Sequence, residues 1–182
     1  MANFHIKGKT AVITGASGIL CSTLARELAA HGAKIALLDI ASERAGQLAQ
    51  EINGAGAEAV SFYCDVLNRE SIEKAGQAVA NRFGGVDILI NGAGGNKPAA
   101  TASPELSFFD LPGDALSWVL NLNLMGTIYP TQVFGRFMAK QGSGCVVNIS
   151  SMAAFTPLTN TVAYSAAKAA VSNFTQWMAV YF

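Results

Sequence analysis

The chain has 182 residues, of which 51% are hydrophobic and only 13% are charged. Twelve Lys and Arg residues balance twelve Asp and Glu residues, so the formal net charge is zero. This composition excludes a disordered chain, which combines low hydrophobicity with high net charge. It also argues against a nucleic-acid binder, which would carry a basic face or tail. We expect a single domain over residues 1–182.

Membrane and metal functions find no support in the sequence. The longest apolar stretches are about five residues, whereas a spanning helix needs roughly 20. Cys21, Cys64 and Cys145 stand far apart without a CxxC pair, which is typical of reduced thiols in a cytoplasmic protein. We expect Cys145 to be a core residue. His, Cys, Asp and Glu residues nowhere show metal-ligand spacing, so we predict no metal site.

Short apolar runs alternate with longer segments of helical spacing. The runs predict strands at residues 10–14, 34–38, 59–63, 86–90 and 144–149. The spacing between them predicts helices over residues 19–31, 43–53 with Ser42 as N-cap, 71–82, 115–140 with a bend near Gly126 and Pro130, and 162 to the end. Such alternation predicts an α/β protein with a doubly wound parallel sheet in three α/β/α layers.

Residues 92–113 match no regular element and contain three prolines. Long loops of this kind are usually functional or disordered. Because this loop follows the fourth predicted strand, it should lie at the carboxyl edge of the sheet, where ligands bind.

A glycine-bearing turn links the first predicted strand to the first predicted helix. Its sequence includes Gly15 and Gly18, and such a turn can bind a pyrophosphate through free N–H groups at the start of the helix. Asp39 ends the second strand, 21 residues after Gly18, where a carboxylate accepts hydrogen bonds from the adenosine ribose. Its charge would repel a 2′-phosphate, and Ile40 offers no guanidinium. The sequence therefore favours NAD over NADP.

Tyr164 and Lys168 are four residues apart on the last predicted helix, so they share one face. A tyrosine hydroxyl ordinarily titrates too high to transfer protons well at neutral pH, and a nearby ammonium stabilises the tyrosinate. Ser151 lies thirteen residues before Tyr164, just past the fifth strand, where its hydroxyl could hold a substrate carbonyl oxygen.

Together these features resemble the classical short-chain dehydrogenase/reductase family, which has a Rossmann-type fold. The resemblance spans nearly the whole chain and rests on motifs that occur in family order, namely Thr14-Gly15, Asp65-Val66, residues 91–94, Asn121-Leu-Asn123, Ser151 and Tyr164-xxx-Lys168. It implies an NAD(P)-dependent enzyme that interconverts a secondary alcohol and a ketone.

The resemblance also implies roles for individual residues. Tyr164 would exchange the proton, Lys168 would favour the tyrosinate and bind the nicotinamide ribose, Ser151 would polarise the substrate oxygen, and Asn123 would hold a relay water. The resemblance also implies which residues contact each part of the cofactor. The pyrophosphate would lie against Gly15, Ser17, Gly18 and Ile19, and the adenosine ribose against Asp39 and Ile40. The adenine would contact Asp65 and Val66, and the middle of the cofactor would contact Asn91, Ala93 and Gly94.

Two features depart from the family pattern. Ile19 and Cys21 stand where the second and third glycines of the turn belong, and Cys21 adds bulk where helix and strand should pack closely. Family chains continue past the last helix with further strands and a substrate lid, whereas this chain stops at Phe182. The resemblance therefore implies a domain that is incomplete at its C-terminal end.

Within the family, the chain is similar to a sugar-acid branch of D-mannonate oxidoreductases, through residues 91–96, 108–111, 130–135 and 173–177. Asn96 and Lys97 are candidates to contact a hydroxyl or an anionic group of the substrate. The alternatives are a non-catalytic or truncated dinucleotide-binding module and a reductase of acyl or steroid carbonyls. The apolar last helix predicts a homodimer or homotetramer.

Overall fold

A computed structural model describes residues 5–156 and 158–182 of the chain. Its five strands are β1 (Thr10–Thr14), β2 (Lys34–Asp39), β3 (Glu58–Tyr63), β4 (Ile88–Asn91) and β5 (Cys145–Asn148). All pair in parallel, in the order β3-β2-β1-β4-β5. The order reverses between β1 and β4, which opens a crevice at the carboxyl ends of these two strands. The predicted doubly wound sheet is confirmed.

Six α-helices connect and cover the strands in the described part of the chain. They are α1 (Ile19–Ala30), α2 (Ser42–Gly54), α3 (Arg69–Phe83), α4 (Gly113–Leu120), α5 (Gly126–Gln141) and α6 (Val162–Tyr181). The prediction of Ser42 as an N-cap was wrong, because Ser42 is the first residue of α2 and no side chain caps that helix. Asn68 does cap α3, since its side chain accepts a hydrogen bond from the Ser71 backbone N–H.

The predicted single bent helix over residues 115–140 is interrupted before Gly126. The segment Asn121–Met125 is π-helical and separates α4 from α5. Asn123 Nδ2 donates to the Val119 carbonyl oxygen at 2.8 Å. In a regular α-helix, this oxygen would accept from the backbone N–H of Asn123 instead. The widened turn brings Asn123 to a fully buried position.

Alternate strand residues face two separate apolar layers. In β1, Ala11 and Ile13 pack towards α1 and α2, whereas Val12 packs towards α3 and α5. Every residue of β1 is buried, as the continuous apolar character of a two-sided parallel strand predicts. The result is the predicted three-layer arrangement.

The long segment after β4 contains two short 3₁₀ helices, Pro98–Ala100 and Phe108–Asp110. Ala100 is fully buried in a small apolar cluster with residues of α4 and α6, including Ala163, and Tyr164 packs against this cluster. The loop is therefore packed against the start of α6.

Cys145 corrects a prediction, since it is exposed and not in the core. It lies on β5, which is the edge strand of the described sheet. Burial raises the pKa of the Cys64 thiol to about 12, with the Asp65 and Asp39 charges adding to the effect.

Over the described residues, none of the helices combines the length and apolar character needed to cross a membrane.

Candidate active site

The turn after β1 is held against the end of β4. Thr14 Oγ1 accepts hydrogen bonds from the backbone N–H groups of Gly92 and Ala93 at 3.1 and 3.3 Å. Gly15 has a φ of +61°, and a Cβ there would stand 2.8 Å from the Ala93 Cα. Only glycine meets both conditions, which explains its place directly after the strand.

The first turn of α1 is open at the predicted pyrophosphate position. Gly18 is the N-cap residue, and no side chain caps the helix. Ile19 follows with 91% of its surface exposed. Uncapped N–H groups at a helix N-terminus can receive an anion.

Asp39 holds this turn from the neighbouring strand. Its Oδ2 accepts hydrogen bonds from the Ser17 backbone N–H at 2.9 Å and from Ser17 Oγ at 2.7 Å, and its Oδ1 accepts from the Ala41 N–H at 2.9 Å. Asp39 is buried, whereas Ile40 beside it is exposed. Because Oδ2 already accepts two hydrogen bonds and Oδ1 only one, Oδ1 keeps acceptor capacity for a ribose hydroxyl.

Arg44 is a site residue that sequence reasoning missed. Its Nη2 donates to the Ser17 carbonyl oxygen at 2.9 Å, so a guanidinium reaches the glycine turn from the first turn of α2. The sequence does contain a signal for Arg44, because this basic residue follows Asp39 by five residues and lies at the start of the helix after β2.

The residues predicted at the adenine end differ in accessibility. Asp65 is half-buried, and its Oδ1 accepts a hydrogen bond from the Leu67 N–H at 2.9 Å. Val66 exposes only 6% of its surface and packs against Gly126, where a Cβ would stand 3.0 Å from Val66 Cγ2. Asp65 therefore keeps one carboxylate oxygen for a ligand, while most of Val66 belongs to the core.

Asn91, the last residue of β4, links the elements that surround the site. Its Nδ2 donates to Thr131 Oγ1 at 2.9 Å and to Asn148 Oδ1 at 2.8 Å, and the residue exposes 2% of its surface. Its Oδ1 is a buried oxygen without a hydrogen-bond partner in the part of the chain that is described. The side chain joins β4 to β5 and to α5.

Cys21 occupies space that Gly92 leaves free. A Cβ at Gly92 would clash with Cys21 Sγ and stand 3.0 Å from the Thr14 carbonyl oxygen. Burial raises the pKa of the Cys21 thiol, the Asp39 charge adds to this, and the Lys168 charge opposes it. The bulk that replaces the family's third glycine is thus accommodated by a glycine on β4's carboxyl side.

Asn123 lies directly beneath the loop after β4. It donates from Nδ2 to the Gly95 carbonyl oxygen at 2.7 Å and accepts at Oδ1 from the Gly95 N–H at 3.1 Å. A methyl group at Gly94 would stand 2.7 Å from Asn123 Oδ1 and 3.4 Å from Lys168 Nζ. Gly94 therefore lets the backbone pass close over both predicted catalytic side chains.

Lys168 is a buried ammonium on the same helix face as Tyr164. Its Nζ donates to the Ile149 carbonyl oxygen at 2.7 Å and lies 5.7 Å from the centre of the Tyr164 ring. Burial lowers the pKa of Lys168. Since an ammonium has three N–H groups, two remain for a ligand or a water molecule.

Ser151 and Tyr164 keep their hydroxyl hydrogens available. Ser151 Oγ accepts a hydrogen bond from the Ala153 N–H at 3.1 Å, which places the serine at the start of a short 3₁₀ helix beside α6. Among the described residues, neither hydroxyl donates to an acceptor. The turn after β5 thus brings Ser151 to the same sheet edge as Lys168.

Comparison with known proteins identifies the family. The chain matches the short chain dehydrogenase family over residues 9–181. It is 50% identical to an uncharacterized oxidoreductase of Haemophilus influenzae over 192 residues, a match that covers 100% of this chain and 67% of the relative. The chain belongs to the short chain dehydrogenase family and is an oxidoreductase.

Two solved structures show the same fold. A Haemophilus influenzae protein provisionally assigned as a D-mannonate oxidoreductase, solved with bound NAD, has a TM-score of 0.92 and 49% identity, over 97% of this chain and 67% of that one. An NAD⁺-bound xylitol dehydrogenase has a TM-score of 0.89 and 32% identity, over 97% and 65%. This chain therefore spans about two thirds of the length of these proteins.

Proposed function

We propose that the whole protein is an NAD-dependent dehydrogenase that oxidises a secondary alcohol of a sugar acid to a ketone, or reduces the ketone in reverse. The observation that carries the proposal is that Lys168 and Asn123 both lie beside Gly94, with the Tyr164 ring centre 5.7 Å from Lys168 Nζ. The likeness to a provisionally assigned D-mannonate oxidoreductase supports the substrate class.

The crevice between β1 and β4 fits a dinucleotide. Gly15 and Gly94 stand where a Cβ would collide with neighbouring atoms, so the backbone lines this crevice closely. The uncapped start of α1 suits the pyrophosphate, and Asp39 suits a ribose with two free hydroxyls. The cofactor, when bound, supplies the acceptor for the hydride.

The proton is handled by the chain's own residues. Tyr164 accepts the hydroxyl proton of the alcohol during oxidation and returns it during reduction, while the ammonium of Lys168 stabilises the tyrosinate. Ser151 donates its free hydroxyl hydrogen to the substrate oxygen. Ser151 follows β5, and Tyr164 and Lys168 lie on α6, which is the next α-helix along the chain.

Asn123 has a more structural role than the sequence indicates. Its Nδ2 hydrogens are used by Gly95 and Val119, so only its oxygens can hold a relay water. We propose that it fixes the loop at Gly95 and offers Oδ1 to that water. Lys168 lies close enough to Gly94 to take the other end of such a relay.

Replacing Tyr164 with phenylalanine tests the proposal. We expect Tyr164→Phe to lower kcat for D-mannonate oxidation about 10²- to 10⁴-fold, because the proton acceptor is lost. NADH affinity, measured by fluorescence, should change less than about twofold, since the ring stays.

Tyr181→Phe is the matched control, because it removes the same hydroxyl about 25 Å further along α6, and it should leave kcat unchanged. Turnover by Tyr164→Phe comparable with that of the unaltered enzyme would refute the assignment.

A neutral polyol is the second candidate substrate. The loop after β4 presents the uncharged polar groups of Asn96, Thr101 and Ser103 in an open depression, and these groups suit hydroxyls. The likeness to a xylitol dehydrogenase also favours this class. Rates with D-mannonate and D-mannitol, compared under identical conditions, discriminate between the two candidates.

The setting of the enzyme is also a proposal. On α6, Trp177, Val180 and Tyr181 are exposed, and the Trp177 and Tyr181 rings stack at 4.9 Å between centroids. We propose that this apolar face is covered in a homodimer or homotetramer.

The free thiols of Cys21, Cys64 and Cys145 support a cytoplasmic location.

A further inference from the structure

Lys97 carries a positive charge that is oriented but not neutralised. Its Nζ lies 4.9 Å from the centre of the Trp118 ring. None of the salt bridges among the described residues includes Lys97. A cation–π contact holds an ammonium in place without supplying a counter-charge, so the N–H groups stay available to an anion.

The segment that carries Lys97 is anchored to the catalytic residues at both ends. Before it, Gly95 exchanges two hydrogen bonds with Asn123. After it, Ala100 is fully buried in the cluster against which Tyr164 packs. Because consecutive Cα atoms are 3.8 Å apart, the Cα of Lys97 lies at most about 8 Å from that of Gly95. Its four-carbon stem extends the reach of the ammonium further.

Among the residues that line this depression, Lys97 is the one with a charged side chain. Its polar neighbours there are Asn96, Thr101 and Ser103, and Asn96 Nδ2 donates to Thr101 Oγ1 at 2.9 Å. The exposed carboxylate of Glu105 accepts from Ser103 Oγ at 2.9 Å and is not part of the lining. A single cation among hydroxyl and amide groups suits a ligand that has one carboxylate and several hydroxyls.

We propose that Lys97 binds the carboxylate of the substrate and so selects hydroxy acids over neutral polyols. Trp118 positions the ammonium, and Asn96 and Thr101 contact hydroxyls of the same molecule. This inference rests on the proposed function of the site and names the residue that determines its substrate class.

The test compares Lys97→Gln with the unaltered full-length protein, using D-mannonate and D-mannitol as substrates with NAD. Gln keeps most of the stem but removes the charge. We expect the KM for D-mannonate to rise about tenfold or more with kcat within about twofold, while kcat/KM for D-mannitol changes less than about twofold. Lys97→Arg should recover most of the loss. Lys74→Gln removes the charge of an exposed lysine on α3 and is the control. It should leave kcat/KM unchanged for both substrates.

Calorimetry with the NADH complex separates this inference from the proposed reaction. If D-mannonate binds the unaltered protein and binds Lys97→Gln much more weakly, the role of Lys97 stands even where neither protein turns over, and the proposed reaction alone fails. The inference is overturned if D-mannonate does not bind the unaltered protein, or if Lys97→Gln binds it equally well. Equal losses for D-mannonate and D-mannitol also overturn it, because they indicate a merely structural role.

Discussion

The contact between Cys21 and Gly92 yields a quantitative prediction about how the glycine turn is packed. A methyl group at position 92 would clash with Cys21 Sγ, and Cys21 exposes only 4% of its surface. The sulfur therefore cannot move aside without disturbing buried neighbours. Because overpacking of this kind costs about 1–3 kcal/mol, Gly92→Ala should lower the free energy of unfolding by about 2 kcal/mol.

Removing the sulfur should relieve most of this cost. Cys21→Ala alone leaves a small cavity and lowers the free energy of unfolding by about 1 kcal/mol. In that background, a methyl at position 92 meets the Thr14 carbonyl oxygen at 3.0 Å and the Cβ of residue 21 at 3.7 Å. We expect Gly92→Ala to cost less than about 1 kcal/mol there, which gives an interaction energy of about 1–2 kcal/mol.

Urea unfolding of the four proteins, followed by circular dichroism at one protein concentration, measures this interaction. Gly95→Ala is the control, because nothing lies within 4 Å of a Cβ at that position and its φ is not left-handed. It should change the free energy of unfolding by less than about 0.5 kcal/mol. If Gly92→Ala costs the same with Cys21 and with Ala at position 21, the two residues do not share this space and the reasoning is wrong.

Two further predictions concern the carboxylates. Asp39→Ala removes the acceptor of both Ser17 hydrogen bonds, so steady-state kinetics should show a KM for NAD raised about tenfold or more and kcat within about twofold. An unchanged KM would contradict the ribose assignment. Burial raises the pKa of Asp87, but the Lys9 ammonium and the Thr10 N–H outweigh it and the net shift is downward. Because folding lowers the pKa of Asp87, its ionised carboxylate stabilises the fold at pH values above the pKa of this group in the unfolded chain. This stabilisation is lost as the pH falls through the pKa of the folded state. Asp87→Asn should therefore cost about 1 kcal/mol near pH 7 and progressively less below about pH 4, and a pH-independent difference in urea unfolding would show that ionisation plays no part.

The layered fold could be predicted because its signals are local. Each strand is a short apolar run, and the residues of β1 are all buried, as a parallel strand with two covered faces requires. Gly15 directly follows that strand, and Tyr164 and Lys168 are one turn apart on a helix, so spacing along the chain predicts both the turn and the shared helix face of this pair. Periodicity along the chain reports which side of an element is covered, whatever covers it.

The contacts that complete the site join residues far apart in sequence, and no local pattern encodes them. Lys97 lies against Trp118, Asn123 against Gly95, and the Arg44 guanidinium against the Ser17 carbonyl oxygen only because the chain folds back on itself. The π-helical turn at Asn121–Met125 likewise depends on which atoms its side chains reach.

Cys21 illustrates the division between the two kinds of information. Its departure from the family pattern could be read from the chain, but its accommodation could not, because that depends on Gly92 standing opposite it across the turn. Spacing specifies elements and the faces they cover, whereas steric fit between elements exists only once they are packed together.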